Sequence, residues 1–136
     1  MKHSGSCLCK SVKFSFFSEY KHFDACHCSI CRKWGGGPVF TVNAQGDSVF
    51  EGEEFITLFE SSTWAERGFC SKCGTHLFYR LKDKSFCNFN LGIIDGHEEY
   101  EFTVQIYTDA KPHNYDFANK TKMMTEQDVI DAFSKT

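Results

Sequence analysis

The sequence of 136 residues has no apolar run long enough to cross a bilayer and no run of lysine or arginine. The first absence argues against a membrane-spanning helix. The second, with a net charge of −3, argues against non-specific nucleic-acid binding. Only two prolines and ten glycines are present, too few for a collagen-like or disordered chain. Residues 1–5 contain no apolar segment of signal-peptide length, so we expect a cytoplasmic protein.

Aromatic residues are abundant instead, and fifteen of them are phenylalanines. Phenylalanine and tyrosine favour strands. Apolar and polar residues alternate with period two in several segments, for example residues 12–16 and 100–107. We therefore predict one mainly β domain over residues 1–136, built of short antiparallel strands.

One helix is predicted near the C-terminus, from Glu126 to about Phe133. Thr125 is a good N-cap, and Asp128 lies three positions after it. Val129, Ile130 and Phe133 are expected to form the apolar stripe of this helix.

The eight cysteines carry the chemistry of the sequence. In a reducing compartment, clustered cysteines are more often metal ligands or catalytic groups than disulfides. They form four groups: Cys7 and Cys9; Cys26, Cys28 and Cys31; Cys70 and Cys73; and Cys87 alone.

Cys26, Cys28 and Cys31 (the triplet) lie within six residues. If the chain is extended at Cys26 and Cys28, both sulfurs point to one face, and a turn after Cys28 brings Cys31 back beside them. His27 then points to the opposite face, which argues against it as a ligand. Three thiolates with no evident fourth ligand are typical of a catalytic zinc site with one open position. Such a site could bind an exogenous thiol as a thiolate, ready to add to an aldehyde.

Cys70 and Cys73 form a C-x-x-C turn followed by Gly74, which is typical of a zinc knuckle. Cys7 and Cys9 can supply the two missing ligands, because residues i and i+2 of a strand share a face. These four cysteines (the four-cysteine set) would close the coordination shell of the ion, so we interpret the set as structural.

Other interpretations remain open at this point. The four-cysteine set could form disulfides or stay as free thiols. The triplet could be closed by Cys87 or His27, could hold an iron–sulfur cluster, or could act as redox-active thiols. Cys87 is otherwise expected to be a small buried apolar residue.

With these groups in place, the sequence resembles the glutathione-dependent formaldehyde-activating enzyme family, which includes centromere protein V. The resemblance covers most of the chain and lies in four segments: residues 5–9, residues 26–33 with the glycines that follow, residues 67–75, and residues 91–95.

The resemblance implies a zinc-stabilised, Mss4-like complex β fold. It also implies a structural zinc ion on the four-cysteine set and a second, catalytic zinc ion on the triplet. The activity that it implies is that of a carbon–sulfur lyase, which joins glutathione to formaldehyde to give S-(hydroxymethyl)glutathione. The expected partners are a small glutathione-like thiol and an aldehyde, with no nucleic acid and no membrane.

A second hypothesis is a non-catalytic zinc-binding module that binds glutathione, another thiol or a protein partner. The open position at the triplet distinguishes the two hypotheses, because a fourth protein ligand there would favour the binding module. Arg32, Lys33 and Arg67 could bind the carboxylates of glutathione. Exposed bases beside cysteines more often offset thiolate charge or face solvent.

Overall fold

The computed structural model describes residues 1–134, and contacts divide the chain into two compact units. Unit 1 comprises Met1–Lys21 and Val42–Tyr100, and unit 2 comprises His22–Thr41 and the described residues from 101 on. This division does not test the prediction of a single domain, which stays a prediction. In the described part of the chain, no helix is long and apolar enough to span a membrane.

Most of the regular structure of the described residues is strand, and the last element is an α-helix. The predicted mainly β class with a C-terminal helix is therefore confirmed. The strands are β1 Lys2–Ser6, β2 Lys13–Phe17, β3 His22–Cys26, β4 Val39–Asn43, β5 Gln45–Glu51, β6 Ile56–Phe59, β7 Ala65–Cys70, β8 His76–Leu81, β9 Cys87–Asn90, β10 Glu101–Ile106 and β11 Lys122–Met124. The α-helices are α1 Ser29–Gly35 and α2 Glu126–Ser134.

Unit 1 is built from two antiparallel groups of strands, in the orders β1–β2–β5 and β9–β8–β7–β6. The predicted period-two alternation of β2 is present. Phe14 and Phe16 are buried on one face, whereas Phe17 points away and is 49% exposed. This alternation commits one face of β2 to the core of the unit.

Three stacked phenylalanine rings form the centre of that core. The ring of Phe89 lies 4.5 Å from that of Phe14 and 4.7 Å from that of Phe16, centroid to centroid, with nearly parallel planes. Phe89 is fully buried. Offset stacks of this kind add to the stabilisation that burial alone gives.

Strand β1 was not predicted, because its sequence Lys-His-Ser-Gly-Ser contains no large apolar residue. The buried side chain of His3 fills the position where a large apolar residue would be expected. Its ring stacks on Phe16 at 5.1 Å, and it hydrogen-bonds the Tyr100 hydroxyl and the carbonyl oxygen of Ser18.

Unit 2 contains strands in the order β11–β10–β3–β4. β3 and β4 are antiparallel, but β10 runs parallel to both β3 and β11. The expectation of antiparallel pairing is wrong for these two pairs. Their strands are joined through long intervening segments, which permit the parallel direction that a hairpin forbids.

The predicted C-terminal helix is present and is capped as expected. The Asp128 amide donates to Thr125 Oγ1 at 3.2 Å, and the Thr125 amide donates to Asp128 Oδ2 at 2.9 Å. Of the predicted apolar stripe only Val129 is buried, whereas Ile130 and Phe133 are about half exposed.

We expect Phe89→Ala to lower the free energy of unfolding by about 3–5 kcal/mol, because it removes the middle ring of the buried stack and leaves a cavity. Urea denaturation of the zinc-loaded protein measures this change. Phe17→Ala is the matched control on the exposed face and should change the same free energy by less than about 0.5 kcal/mol. Equal losses in the two variants would contradict the assignment of the core.

Candidate metal centres

The four-cysteine set lies within unit 1, and its sulfurs converge on one point. The Sγ atoms of Cys7 and Cys9 are 3.6 Å apart, those of Cys9 and Cys70 are 3.8 Å apart, and all four lie within 4.8 Å of one another. Four sulfurs at about 2.3 Å from a tetrahedral zinc ion would be roughly 3.8 Å from each other. Two of the sulfur–sulfur distances match this spacing, so the set could hold a metal ion.

Two short turns bring these sulfurs together. Cys7 and Cys9 lie in the turn between β1 and β2, closed by a hydrogen bond from the Cys7 amide to Val12 O at 3.0 Å. Their expected position on one strand is therefore wrong; a turn, with Lys10 in the left-handed region at φ 65°, makes them converge instead.

The second turn is the predicted knuckle at the end of β7. The Cys70 amide donates to Thr75 O at 2.9 Å, and the Gly74 amide donates to Cys70 O at 2.7 Å. Gly74 has φ 77°, which favours glycine and explains its place after Cys73.

Neighbouring hydroxyls prepare two of these thiols for ionisation. Thr75 Oγ1 lies 3.1 Å from Cys73 Sγ and lowers the pKa of Cys73 to about 5. Ser11 Oγ lies 3.3 Å from Cys9 Sγ and lowers the pKa of that thiol as well. Burial has the opposite effect on Cys70, whose pKa rises to about 11. A cation between the sulfurs would favour the thiolate form of all four.

The triplet lies within unit 2, at the junction of β3 and α1. Cys26 is the last residue of β3, Cys28 is the N-cap of α1, and Cys31 lies in the first turn of the helix. Cys28 is extended, with φ −62° and ψ 154°, as predicted from the sequence. The predicted turn after it proves to be the start of a helix, ended by Gly36 at φ 88°.

The three sulfurs of the triplet lie within 4.8 Å of one another. Cys26 and Cys31 are buried, whereas Cys28 is partly exposed and accepts a hydrogen bond from the Cys31 amide at 3.3 Å. The neighbouring thiols Cys28 and Cys31, together with burial, raise the pKa of Cys26. Crowded, buried sulfur ligands fit a soft or borderline cation such as zinc.

His27 does not join the triplet, because both of its ring nitrogens have other partners. Nε2 lies 2.9 Å from Gln105 Oε1, and Nδ1 lies 2.7 Å from the Tyr115 hydroxyl. Burial lowers the pKa of His27. Cys87 belongs to neither group of sulfurs among the described residues.

Gln105 and Tyr115 were not recognised from the sequence. Alternation in β10 pointed to Phe102, Val104 and Ile106 as its inner face, yet Gln105 is the most buried residue of the strand. The signal available in the sequence was an uncharged glutamine on the polar side of an alternating strand. Tyr115 lies outside any regular element and gave none.

The three basic candidates differ in their surroundings. Arg32 Nε donates to His27 O at 2.9 Å, and Lys33 is exposed. Arg67 is 5% exposed and stacks its guanidinium 5.1 Å from the ring centre of Tyr79, so it does not face solvent. Binding of a substrate carboxylate by any of them stays a prediction.

Comparison with known proteins gives one family. The model of the family described as glutathione-dependent formaldehyde-activating enzyme matches residues 2–110. An uncharacterized lyase of Schizosaccharomyces pombe is 36% identical over 136 residues, with 98% of each chain covered. A putative glutathione-dependent formaldehyde-activating enzyme of Halomonas elongata is 36% identical over 83 residues, which cover 54% of this chain and 53% of that protein.

One solved structure supports the fold. A crystal structure of a Rhodobacter sphaeroides protein matches with a TM-score of 0.58 and 24% identity, covering 74% of this chain and 99% of that chain. At this identity, the similarity shows the fold alone.

We expect the purified protein to carry two equivalents of zinc and to respond differently to the loss of each. Cys28→Ser should lose about one equivalent and stay folded, because serine still caps α1. Cys73→Ser should compromise folding, because a structural zinc contributes about 10–16 kcal/mol, as much as the whole stability of a typical domain. Elemental analysis and thermal unfolding measure these effects. Ser71→Ala, in the same turn as Cys73, is the control, and equal stability of both cysteine variants would contradict the assignment.

Cys87 should stay unreactive in the folded protein. Burial raises its pKa to about 12, so at pH 8 only about one thiol in ten thousand is ionised. Alkylation by iodoacetamide should therefore be about three orders of magnitude slower than for a free cysteine. Peptide mass spectrometry measures the rate, and the urea-unfolded protein is the control. Modification at the rate of a free thiol would show that Cys87 is accessible and ionised.

Proposed function

Because the chain belongs to the glutathione-dependent formaldehyde-activating enzyme family, we propose that it is a zinc-dependent carbon–sulfur lyase. It would form or cleave a thiol–aldehyde adduct such as S-(hydroxymethyl)glutathione. The reduced state of all eight cysteines fits the cytoplasm as its place of action.

The observation that carries this proposal is the number of ligands at the triplet. Cys26, Cys28 and Cys31 form a group of three, and among the described residues no fourth cysteine, histidine or carboxylate joins it. His27, the nearest candidate in the sequence, has both ring nitrogens engaged elsewhere. Three protein ligands leave a tetrahedral ion one position for a substrate.

The four-cysteine set serves a different purpose in this proposal. Pairing Cys9 with Cys70 closes a loop of about 60 residues, which costs roughly 3–4 kcal/mol in chain entropy. A structural zinc ion contributes about 10–16 kcal/mol and outweighs that cost. With four sulfurs around it, such an ion has no free position, so its role is to stabilise unit 1.

A zinc ion on the triplet would supply an open position and a positive charge that lowers the pKa of an incoming thiol. The surroundings of the three cysteines fit this role. Cys26 and Cys31 are buried and exclude water, whereas Cys28 is partly exposed and leaves its side open to substrate. Arg32 Nε donates to His27 O, which places a positive charge beside the backbone between Cys26 and Cys28.

The reaction is balanced without an oxidant or a reductant. The thiol loses its proton, its sulfur forms a bond with the carbonyl carbon, and the carbonyl oxygen takes up a proton to become a hydroxyl group. Cleavage is the reverse: the hydroxyl proton leaves, the carbonyl reforms, and the carbon–sulfur bond breaks to release the thiol. The protein therefore has only to hold the thiol deprotonated beside the aldehyde.

Exchange NMR with glutathione and formaldehyde tests the proposal. At about pH 6 a free thiol with a pKa near 8.5 is less than about 1% ionised, so the spontaneous reaction is slow. The zinc-loaded protein should speed exchange between glutathione and its adduct, because the triplet would raise the ionised fraction.

Cys28→Ser is the matched control, because it keeps the four-cysteine set and should return the exchange to the spontaneous rate. If protein with two zinc ions bound glutathione but did not exceed that rate, the non-catalytic binding module would replace the enzyme. A rate equal in wild type and Cys28→Ser would also exclude the triplet as the catalytic site.

A further inference from the structure

His27 lies between two members of the triplet and is held at all four of its polar atoms. Its amide donates to Ile106 O at 3.1 Å, and its carbonyl oxygen accepts from Arg32 Nε at 2.9 Å. Its ring bonds Gln105 through Nε2 and Tyr115 through Nδ1. The residue is fully buried. A buried residue fixed in this way has a single orientation.

The ring bonds have a direction that the partners determine. Gln105 Oε1 can only accept, so His27 Nε2 carries the proton and donates to it. When Nε2 alone carries the proton, Nδ1 accepts a hydrogen bond from the Tyr115 hydroxyl. Gln105 Nε2 in turn donates to Thr121 Oγ1 at 3.1 Å. The chain of bonds thus runs from Tyr115 through His27 and Gln105 to Thr121.

The orientation of His27 also sets the two sulfurs beside it. In an extended segment, neighbouring side chains point to opposite faces, so the ring and the sulfurs of Cys26 and Cys28 diverge. A backbone rotation at His27 would carry the ring out of its two hydrogen bonds, so these bonds oppose any rotation that would change the spacing of Cys26 and Cys28.

We propose that His27 is a positioning residue of the triplet, and that the Tyr115 hydroxyl fixes the orientation of its ring. This inference rests on the proposed use of the triplet as a metal site. Tyr115 and Thr121 lie beyond residue 110, where the match to the family model ends. The segment that follows the matched region therefore helps to define the metal site.

Tyr115→Phe tests the inference by removing one hydroxyl and keeping the aromatic ring beside His27. We expect the zinc dissociation constant of the triplet to rise about tenfold, within the range seen for partners outside the ligand shell. The four-cysteine set should keep its affinity and serves as the internal reference. Competition with a chelator of known affinity measures both constants.

A spectroscopic readout separates positioning from a general loss of stability. With zinc kept in the four-cysteine set and Co(II) loaded onto the triplet to saturation, the visible bands report the arrangement of the three sulfurs. Tyr115→Phe should shift these bands, whereas Tyr20→Phe, which removes the same atom from an exposed ring in unit 1, should not. Unchanged affinity and an unchanged spectrum in folded Tyr115→Phe would overturn the inference.

The wild-type protein gives a test that needs no variant. Two-dimensional ¹H–¹⁵N NMR of the zinc-loaded protein should find the His27 proton on Nε2 and none on Nδ1. A ring that exchanges between the two tautomers would not be held in one orientation and would overturn the inference, even if Tyr115→Phe did not fold. Failure of the proposed function looks different: two zinc ions and the expected ring state, but no acceleration of adduct exchange.

Discussion

Crowding of sulfur is the constraint on which both halves of this structure depend. Two thiolates 3.8 Å apart repel each other by roughly 4 kcal/mol at an effective dielectric constant of about 20. Without a cation, neighbouring thiols favour the protonated form of Cys26, whose pKa they raise, whereas hydroxyl hydrogen bonds lower the pKa values of Cys9 and Cys73. A divalent ion between the thiolates attracts all of them. The free energy of binding the ion exceeds the entropic cost of closing long loops. Each of the two groups of sulfurs could therefore be stabilised by a bound ion.

The two groups of sulfurs differ because different local structures present them. Two turns of the backbone face each other in the four-cysteine set, and each contributes two sulfurs from a tight hydrogen-bonded loop. The triplet uses the end of a strand and the first turn of a helix, which together supply three. A strand followed directly by a helix gives no fourth sulfur nearby, and this local geometry is what supports a vacant coordination position.

The sequence was sufficient to predict that the sulfurs of each set converge, because C-x-C and C-x-x-C spacings restrict sulfur positions whatever the surrounding fold. It also predicted the capped helix α2 from Thr125 and Asp128. It failed at two local features, the turn holding Cys7 and Cys9 and the helix after Cys28, and at the parallel pairing of β10, which joins distant segments. Period-two patterns show that a strand has two faces, but not which neighbours cover each face.

Gln105 and Tyr115 show why the residues that support a candidate metal site are harder to predict from the sequence than its ligands. A ligand must be a cysteine at a restricted spacing, whereas a supporting group need only place one polar atom within about 3 Å of its target. Any strand, helix or loop that reaches that point can provide the polar atom, so no sequence motif identifies the residue. Tyr115 and Thr121 provide it from outside the region matched by the family model. A relative aligned only over the cysteine motifs can therefore share the ligands of the triplet without sharing what holds them in place.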